Sequence, residues 1–332
     1  MKLALTLLTA SALFAQAPSA ETARVFPFQH PKTQQTASEL AVCVRAIAEV
    51  KDVFATVAEL AVKGTPAQLE FVEWALSQLD VPPAPFAHSA STDFPFAGNP
   101  DDLVRILRVA HPPTIQAFHE LATTIRSIME IRRLYTYNAT GSILLRGSQI
   151  DLDAARWIFD QLDQAPASTD SKPQTYTRPM PVNPNRGDLG NIIHILRPTQ
   201  PLQFADFQEV TTAVRSIAEA RRVYSYGPSR TLVIRGQAAE VDMVSWIFAQ
   251  LDQPAQAKST PVYRVPAVDD VVEILFLPQN QPVSAFQAEA TRIRTVTNIR
   301  RVYTYNRLRA LLVRGTASEV AEARRLVADL KQ

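Results

Sequence analysis

Apolar and polar positions follow one pattern that recurs four times along the chain. In each repeat a short β-type run precedes a stretch in which apolar residues stand at helical spacing. In the second repeat this helical stripe comprises Ile115, Phe118, Leu121, Ala122, Ile125 and Ile128. Two further β-type runs follow, such as 133–137 and 143–146, and a turn sequence joins them. A second helix closes the repeat. The pattern predicts an α+β protein of four β-α-β-β-α modules, each with a small three-stranded mixed sheet and two helices on one face.

Marker residues recur at fixed spacing in the repeats, which indicates tandem copies of one unit. A glycine ends the predicted hairpin in every copy: Gly64, Gly147, Gly236 and Gly315. A tryptophan follows the first three glycines at the same distance: Trp74, Trp157 and Trp246. An arginine precedes the last three glycines at the same distance: Arg126, Arg215 and Arg294.

The repeats and their joints predict the organisation of the chain. We expect a signal peptide at 1–20, a divergent first module at 21–80, a second at 102–163, a third at 190–252 and a C-terminal capping module at 269–332. The segments between them, 81–101, 164–189 and 253–268, are rich in Pro, Ala and Ser and are expected to be extended linkers.

The first residues have the pattern of an export signal. Lys2 precedes an apolar run at 3–14 that is too short to span a bilayer, and small residues at Ala15 and Ala17 suit cleavage near Ala17 to Ala20. A buried N-terminal helix is the alternative interpretation. The signal predicts a periplasmic or secreted protein with no membrane span after its removal.

Composition argues against several classes of function. Of 332 residues, 46% are hydrophobic, and 34 Lys and Arg against 32 Asp and Glu leave a net charge of +2, which does not favour a bulk polyanion binder. The single cysteine, Cys43, permits neither an intrachain disulfide nor a thiolate zinc cluster. The histidines lack metal-ligand spacing, and no glycine-rich phosphate loop or nucleophile elbow is present. We therefore expect no catalytic, cofactor or metal site.

One side of the second helix carries apolar residues that point away from the module's own predicted core. These residues are Phe71, Trp74, Ile150, Trp157, Met243 and Trp246. The last repeat has polar residues instead, including Ser318, Glu322 and Arg325. A terminal repeat on which nothing stacks is expected to lose its apolar contact surface. We predict that the tryptophans pack against the following linker or module, with a docking patch for another protein as the alternative.

The predicted hairpins alternate arginine and tyrosine on one sheet face. These residues are Arg133, Tyr135, Tyr137, Arg222, Tyr224, Tyr226, Arg301, Tyr303 and Tyr305. The face suits contact with another protein chain, or cross-strand Arg–Tyr stacking on a half-exposed sheet. Binding of single-stranded nucleic acid or another anionic polymer is the alternative. The Gly-x-x-Gly clamp of KH domains is missing and export is predicted, so nucleic acid is not the expected partner.

The fourth repeat resembles the periplasmic N-domains of bacterial secretins, which are small ring-building modules with a KH-like fold. The resemblance lies in the strand at 272–277, the strand-Gly-Thr-x-x-Glu-Val segment at 310–320 and the helix at 323–330. The second and third repeats are nearly as similar, and the first is less so. The secretin β-barrel domain has no counterpart in the sequence, so the resemblance implies assembly with like modules and not pore formation. We expect a non-enzymatic assembly or scaffold protein of the cell envelope that has protein partners or self-associates, in the setting of a secretion or pilus system.

Overall fold

The computed structural model describes residues 20–82, 93–111, 114–164, 172–179, 190–254 and 261–329. The predicted signal peptide, apart from Ala20, lies outside the described residues. The chain divides into two compact units, Met1–Asp80 and Val81–Gln332. Among the helices that the structure describes, none combines the length and the apolar character needed to cross a membrane.

The first unit contains one module, here called module 1. Its elements are β1 (Thr22–Pro27), α1 (Gln34–Ala48), β2 (Asp52–Ala55), β3 (Glu59–Gly64) and α2 (Pro66–Leu79). Thr33 and Thr65 begin the two helices with capping boxes, in which the threonine side chain accepts a hydrogen bond from a backbone amide in the first turn. The sheet order is β1-β3-β2, and both strand pairs are antiparallel.

The second unit contains modules 2, 3 and 4, each with a four-stranded sheet. Module 2 consists of β4 (Asp93–Pro95), β5 (Leu103–Arg108), α3 (Ile115–Met129), β6 (Arg133–Tyr137), β7 (Ser142–Gly147) and α4 (Gln149–Leu162). Module 3 consists of β8 (Gln174–Thr177), β9 (Ile192–Leu196), α5 (Phe204–Ala218), β10 (Val223–Tyr226), β11 (Thr231–Gly236) and α6 (Ala238–Leu251). Module 4 consists of β12 (Val262–Arg264), β13 (Asp270–Phe276), α7 (Val283–Thr297), β14 (Arg301–Tyr305), β15 (Ala310–Thr316) and α8 (Ala317–Asp329).

The α+β class and the β-α-β-β-α order are confirmed, and the sheets differ from expectation in two details. The described strand pairs are all antiparallel. In each module the second strand of the hairpin lies in the middle, between the first hairpin strand and the strand that precedes the first helix. Modules 2 to 4 also have a fourth strand, β4, β8 or β12, which comes from a segment expected to be a linker. This short segment pairs with the otherwise free edge of the sheet and satisfies its backbone groups.

In three repeats, an aspartate at the end of the second helix links that helix to the loop after the first strand. Its carboxylate accepts hydrogen bonds from backbone amides in the loop between the first strand and the first helix. Asp163 is bonded in this way by the amides of Ala110 at 2.7 Å and His111 at 2.9 Å. Asp252 is bonded likewise by the amides of Thr199 and Gln200. In module 1, Asp80 accepts from the Gln29 amide and from Lys32 Nζ, both at 2.6 Å.

The recurring arginine of the first helix supports the hairpin. In each module its guanidinium donates a hydrogen bond to a backbone carbonyl of the first hairpin strand, eight residues further along the chain. Arg215, for example, donates to the Val223 carbonyl at 2.6 Å. This contact fixes the edge strand of the sheet against the first helix. It explains the recurrence of the arginine, which the sequence alone did not explain.

Candidate protein-interaction site

The first helix of one module packs against the outer sheet face of the next module in the second unit. Helix α3 lies against β10 and β11 of module 3. Leu121 and Ile128 of α3 belong to the same buried cluster as Ile195, Tyr226 and Val233 on that sheet. Modules 2 and 3 therefore share one hydrophobic core across their joint, and burial of this apolar surface stabilises the pair.

Polar contacts surround this apolar contact between modules 2 and 3. Glu120 of α3 accepts a hydrogen bond from the Gly227 amide at 2.5 Å. A Cβ at Gly227 would come within 3.1 Å of both Glu120 Oε1 and the Phe204 ring, so glycine permits the close approach. Glu130, directly after α3, forms an ion pair with Arg222, which lies beside β10. These contacts set the position of the helix along the sheet.

The joint between modules 3 and 4 repeats this arrangement. Helix α5 lies against β14 and β15, and Ile274, Tyr305 and Leu312 of module 4 join the core cluster of module 3. Glu209, at the position of Glu120, accepts hydrogen bonds from the backbone amide and side chain of Asn306 at 2.8 and 2.6 Å. Glu219, at the position of Glu130, pairs with Arg301. Two joints with the same donors and acceptors identify helix-on-sheet contact as the way in which these modules associate.

The glutamate after each of these helices has a backbone conformation that is unfavourable for its residue type. Glu130 and Glu219 both have φ of 56°, in the left-handed region that glycine and asparagine prefer. A residue with a Cβ loses about 1 kcal/mol there. In both joints the carboxylate bonds the arginine of the next module, so the side chain supplies a contact that glycine could not make.

The structure places the arginines and tyrosines of modules 3 and 4 at these joints. Arg222, Tyr226, Arg301 and Tyr305 face the helix of the preceding module. Burial, with smaller effects of Glu120 and Asp163, raises the pKa of Tyr226 to about 12. Tyr224 and Tyr303 are half-buried beside them and pack against the same two clusters. On the corresponding face of module 2, Tyr137 is buried, and Arg133 and Tyr135 are half-buried.

The tryptophans of the second helix contact the strands that the linkers contribute. The Trp157 ring lies 5.5 Å from the ring of Tyr176 in β8, and Trp246 lies 5.3 Å from Tyr263 in β12. The Tyr263 hydroxyl also donates to Asp242 at 2.8 Å. Each pair joins the second helix of one module to the added strand of the next. The tryptophan contact and the helix-on-sheet contact therefore act on the same joint.

The remaining residues predicted for inter-module packing have different surroundings. Met243 is buried in the core cluster of module 3, against which Val265 of the following segment also packs. Ile150 is half-buried at the start of α4. In module 1, Phe71 is buried and its ring lies 6.0 Å from the ring of Trp74. The role of these four residues in association stays a prediction.

The sequence did not reveal the role of the first helix. Apolar spacing predicts one stripe along this helix, but Ile115 is exposed, and Leu121 and Ile128 adjoin the next module. The sequence feature that could have revealed this contact is the recurrence of glutamate at two positions, Glu120 and Glu209, and Glu130 and Glu219.

The last repeat has different residues at all of these positions. Helix α7 and its C-cap have Ala288, Glu289, Arg292, Val296 and Asn298 at the positions of Glu120, Leu121, Thr124, Ile128 and Glu130.

The described residues contain no group of three or more His, Cys, Asp or Glu side chains arranged to hold a metal ion. The one cysteine, Cys43, is buried in α1, and burial raises the pKa of its thiol to about 12. The thiol is therefore protonated at neutral pH and is a poor nucleophile.

Comparison with known proteins gives matches among solved structures alone. No family model and no curated protein matches the chain. The matched structures include the N-terminal domain of the secretin XcpQ and a pilotin–secretin complex, and secretins are the family that the fourth repeat resembles. The N-terminal domain of XcpQ from Pseudomonas aeruginosa is 11% identical with a TM-score of 0.22, over 70% of this chain and 100% of that one. ExeD of Aeromonas hydrophila is 12% identical with a TM-score of 0.17, over 70% of this chain and 41% of that one. GspD in the ETEC pilotin–secretin AspS–GspD complex is 11% identical with a TM-score of 0.17, over 77% of this chain and 40% of that one. The chain thus spans about two fifths of ExeD and GspD.

Proposed function

We propose that this chain is a non-enzymatic, exported repeat protein that serves as an assembly or scaffold protein of the cell envelope. Its setting is a secretion or pilus system, and its partners are proteins. Two features of the sequence support the proposal: the pattern of an export signal at 1–20 and the resemblance of the repeats to secretin N-domains. The periplasm is the location that both features favour.

The observation that carries the proposal is the repeated helix-on-sheet joint. In both joints of the second unit, apolar side chains of a first helix and of the next sheet form one core, and a glutamate and an arginine pair beside it. A module of this size buries too little surface to be very stable alone, so contacts with like modules supply part of its stability. Modules whose large apolar surfaces bind other modules of the same fold are suited to an assembly role.

The same geometry weakens the alternative of an anionic-polymer binder. The arginine and tyrosine side chains that would stack on bases or contact phosphates lie against α3 and α5 in modules 3 and 4. Nucleic acid could reach Tyr226 or Tyr305 only if the modules separated. No observation in the described residues favours this second function over the first.

Light scattering after size-exclusion chromatography tests the proposal. The protein without residues 1–20 is measured alone and after mixing with a detergent-solubilised envelope fraction, and the peaks are imaged by negative stain. We expect discrete oligomers or complexes of defined stoichiometry in at least one condition. A monomer in both conditions contradicts the assembly role. Retention on a heparin column that falls steeply with salt supports the anionic-polymer alternative instead.

A further inference from the structure

The outer sheet face of module 1 is apolar and open to solvent. Val25 of β1 and Phe54 of β2 lie on either side of Ala61 in the central strand β3. Val25 is 53% exposed and Phe54 is 68% exposed. These strands line a groove of about 380 Å³. An exposed phenylalanine beside an exposed valine on a flat sheet is typical of a contact surface.

Strand register shows that this face corresponds to the sheet faces that bind helices in modules 3 and 4. Phe54 and Val25 both pair with Ala61, as Tyr224 and Ile195 both pair with Val233 in module 3. In module 4 the equivalent residues are Tyr303, Ile274 and Leu312. The faces of modules 3 and 4 are covered by α3 and α5. Module 1 therefore presents the sheet half of the same joint with its central apolar residues exposed.

We propose that this face, formed by Ala23, Val25, Asp52, Phe54, Ala61 and Lys63, binds one amphipathic helix of a partner protein. The proposal deepens the proposed function and rests on it. The bound helix has Leu or Ile on its contact side, as α3 and α5 have at the joints that the structure contains. This inference rests on the strand register, which shows that the face of module 1 is equivalent to the sheet faces at those joints.

Charge at the edge of the face specifies the end of the partner helix. Asp52 pairs with Lys63 in the register, and it occupies the place of Arg301, which pairs with Arg314 in module 4. Arg301 binds Glu219 at the end of the incoming helix. Glu219 also lies 3.7 Å from Arg314, and Lys63 keeps the positive charge at that position, although it lies 4.0 Å from Glu21. The sign is therefore reversed at Asp52 alone, and there the partner helix carries Arg or Lys where α3 and α5 are followed by glutamate.

Neither α1 nor α7 of a second copy fits the face, and α3 and α5 are occupied at the joints described above. Helix α1 is followed by Glu49, whose negative charge would be repelled by Asp52. Helix α7 places Glu289 and Arg292 where α3 buries Leu121 and Thr124. Docking α7 on the sheet would bury this ion pair, which costs more free energy than burying an apolar pair. The residue after α7 is Asn298, which carries no positive charge for Asp52.

Peptide binding tests the proposal. The probe is a peptide with the sequence of residues 114–130, in which Glu130 is replaced by Lys, with a side-chain staple on its polar side because isolated helices of this length are unstable in water. Its binding to the protein without residues 1–20 is measured by fluorescence anisotropy. A matched probe keeps Glu130. We expect saturable binding of the Lys probe, and binding about tenfold weaker for the Glu probe.

Two variants assign the binding to this face. Phe54→Ser is expected to weaken binding of the Lys probe by about tenfold, and Asp52→Arg to reverse the preference between the two probes. Val296→Ser, at an exposed residue of α7, is the control and should leave binding unchanged. Circular dichroism checks that each variant is folded. Absence of binding, or binding that neither variant alters, overturns the proposal. If the protein still assembles in light scattering, the scaffold function survives that result.

Discussion

Glu219, at the end of α5, forms an ion pair with Arg301 of the following module, and the same pair recurs as Glu130 with Arg222 one module earlier. Both glutamates are in the left-handed conformation; Arg222 directly precedes β10, and Arg301 is the first residue of β14. The pair marks the position at which each helix ends on the next sheet. Its recurrence makes the contact between modules a property of the repeat and not of one location in the chain.

We predict that the Glu130–Arg222 pair contributes a modest, salt-dependent coupling to stability. Both side chains are partly exposed, so solvent screens their attraction and we expect a coupling free energy of about 0.5–1 kcal/mol. A double-mutant cycle with Glu130→Ala and Arg222→Ala, measured by urea unfolding at low and high salt, checks this. The exposed Arg156–Asp160 pair within α4 is the control and should couple more weakly. Equal coupling in the two cycles would contradict the inter-module role.

Trp157→Ala is predicted to loosen the joint between modules 2 and 3. The substitution removes the ring that contacts Tyr176 and leaves the strand β8 with less surface to pack on, at a cost of about 1–3 kcal/mol. Limited proteolysis within 165–189 should become faster, and the melting temperature should fall. Tyr176→Ala should reproduce both effects. Unchanged melting and unchanged cleavage would refute the assignment.

Asp80 is predicted to make the stability of module 1 sensitive to acid. Burial opposes ionisation, but hydrogen bonds from Lys32 and from the amides of Gln29 and His30 together lower its pKa below 3.8. A carboxylate whose pKa is lower in the folded state stabilises the fold above its unfolded pKa, and this stabilisation disappears as the pH falls below about 4. The free energy of unfolding of the wild type should therefore exceed that of Asp80→Asn above pH 5. The difference should shrink toward pH 2, and a difference that does not change with pH would count against this view.

The ion pair of Glu273 is predicted to respond strongly to loss of one partner. Glu273 is fully buried in β13, and Arg324 of α8 donates to both of its carboxylate oxygens at 2.7 Å. Arg324→Ala leaves a buried carboxylate without its partner, but Arg324 itself is 54% exposed, so we expect a loss of about 1–3 kcal/mol. The double change Glu273→Leu and Arg324→Leu should recover most of this loss in thermal melting. Arg325→Ala, which removes an exposed pair with Glu322, serves as the control and should change stability little.

The repeats, the order of their elements and the α+β class could be predicted because apolar spacing and turn residues are local signals. The added strands were missed because β4 and β12 have three residues each, too few to show an alternating pattern. The docking of the first helix was missed for another reason. A helix that is apolar toward both its own core and a neighbour has one broad apolar arc, so periodicity alone does not divide Leu121 and Ile128 between two partners.

The hairpin residues illustrate the same limit. Alternation places Arg222, Tyr224 and Tyr226 on one side of a strand, and the structure has them there. What covers that side depends on the glutamates of the preceding module, far away in the chain, and no local pattern reports it. The position of a side chain in a strand is a local property, whereas its partner is set by tertiary packing.

The recurrence of one contact has a consequence for how such a chain can change in evolution. The end of α3 carries the same acidic group as the end of α5, and the sheet of module 4 offers the same basic group as that of module 3. If a duplication or deletion inserts or excises one complete copy, the new neighbours already match. The protein can thus gain or lose whole modules, and no new contact has to evolve at the junction.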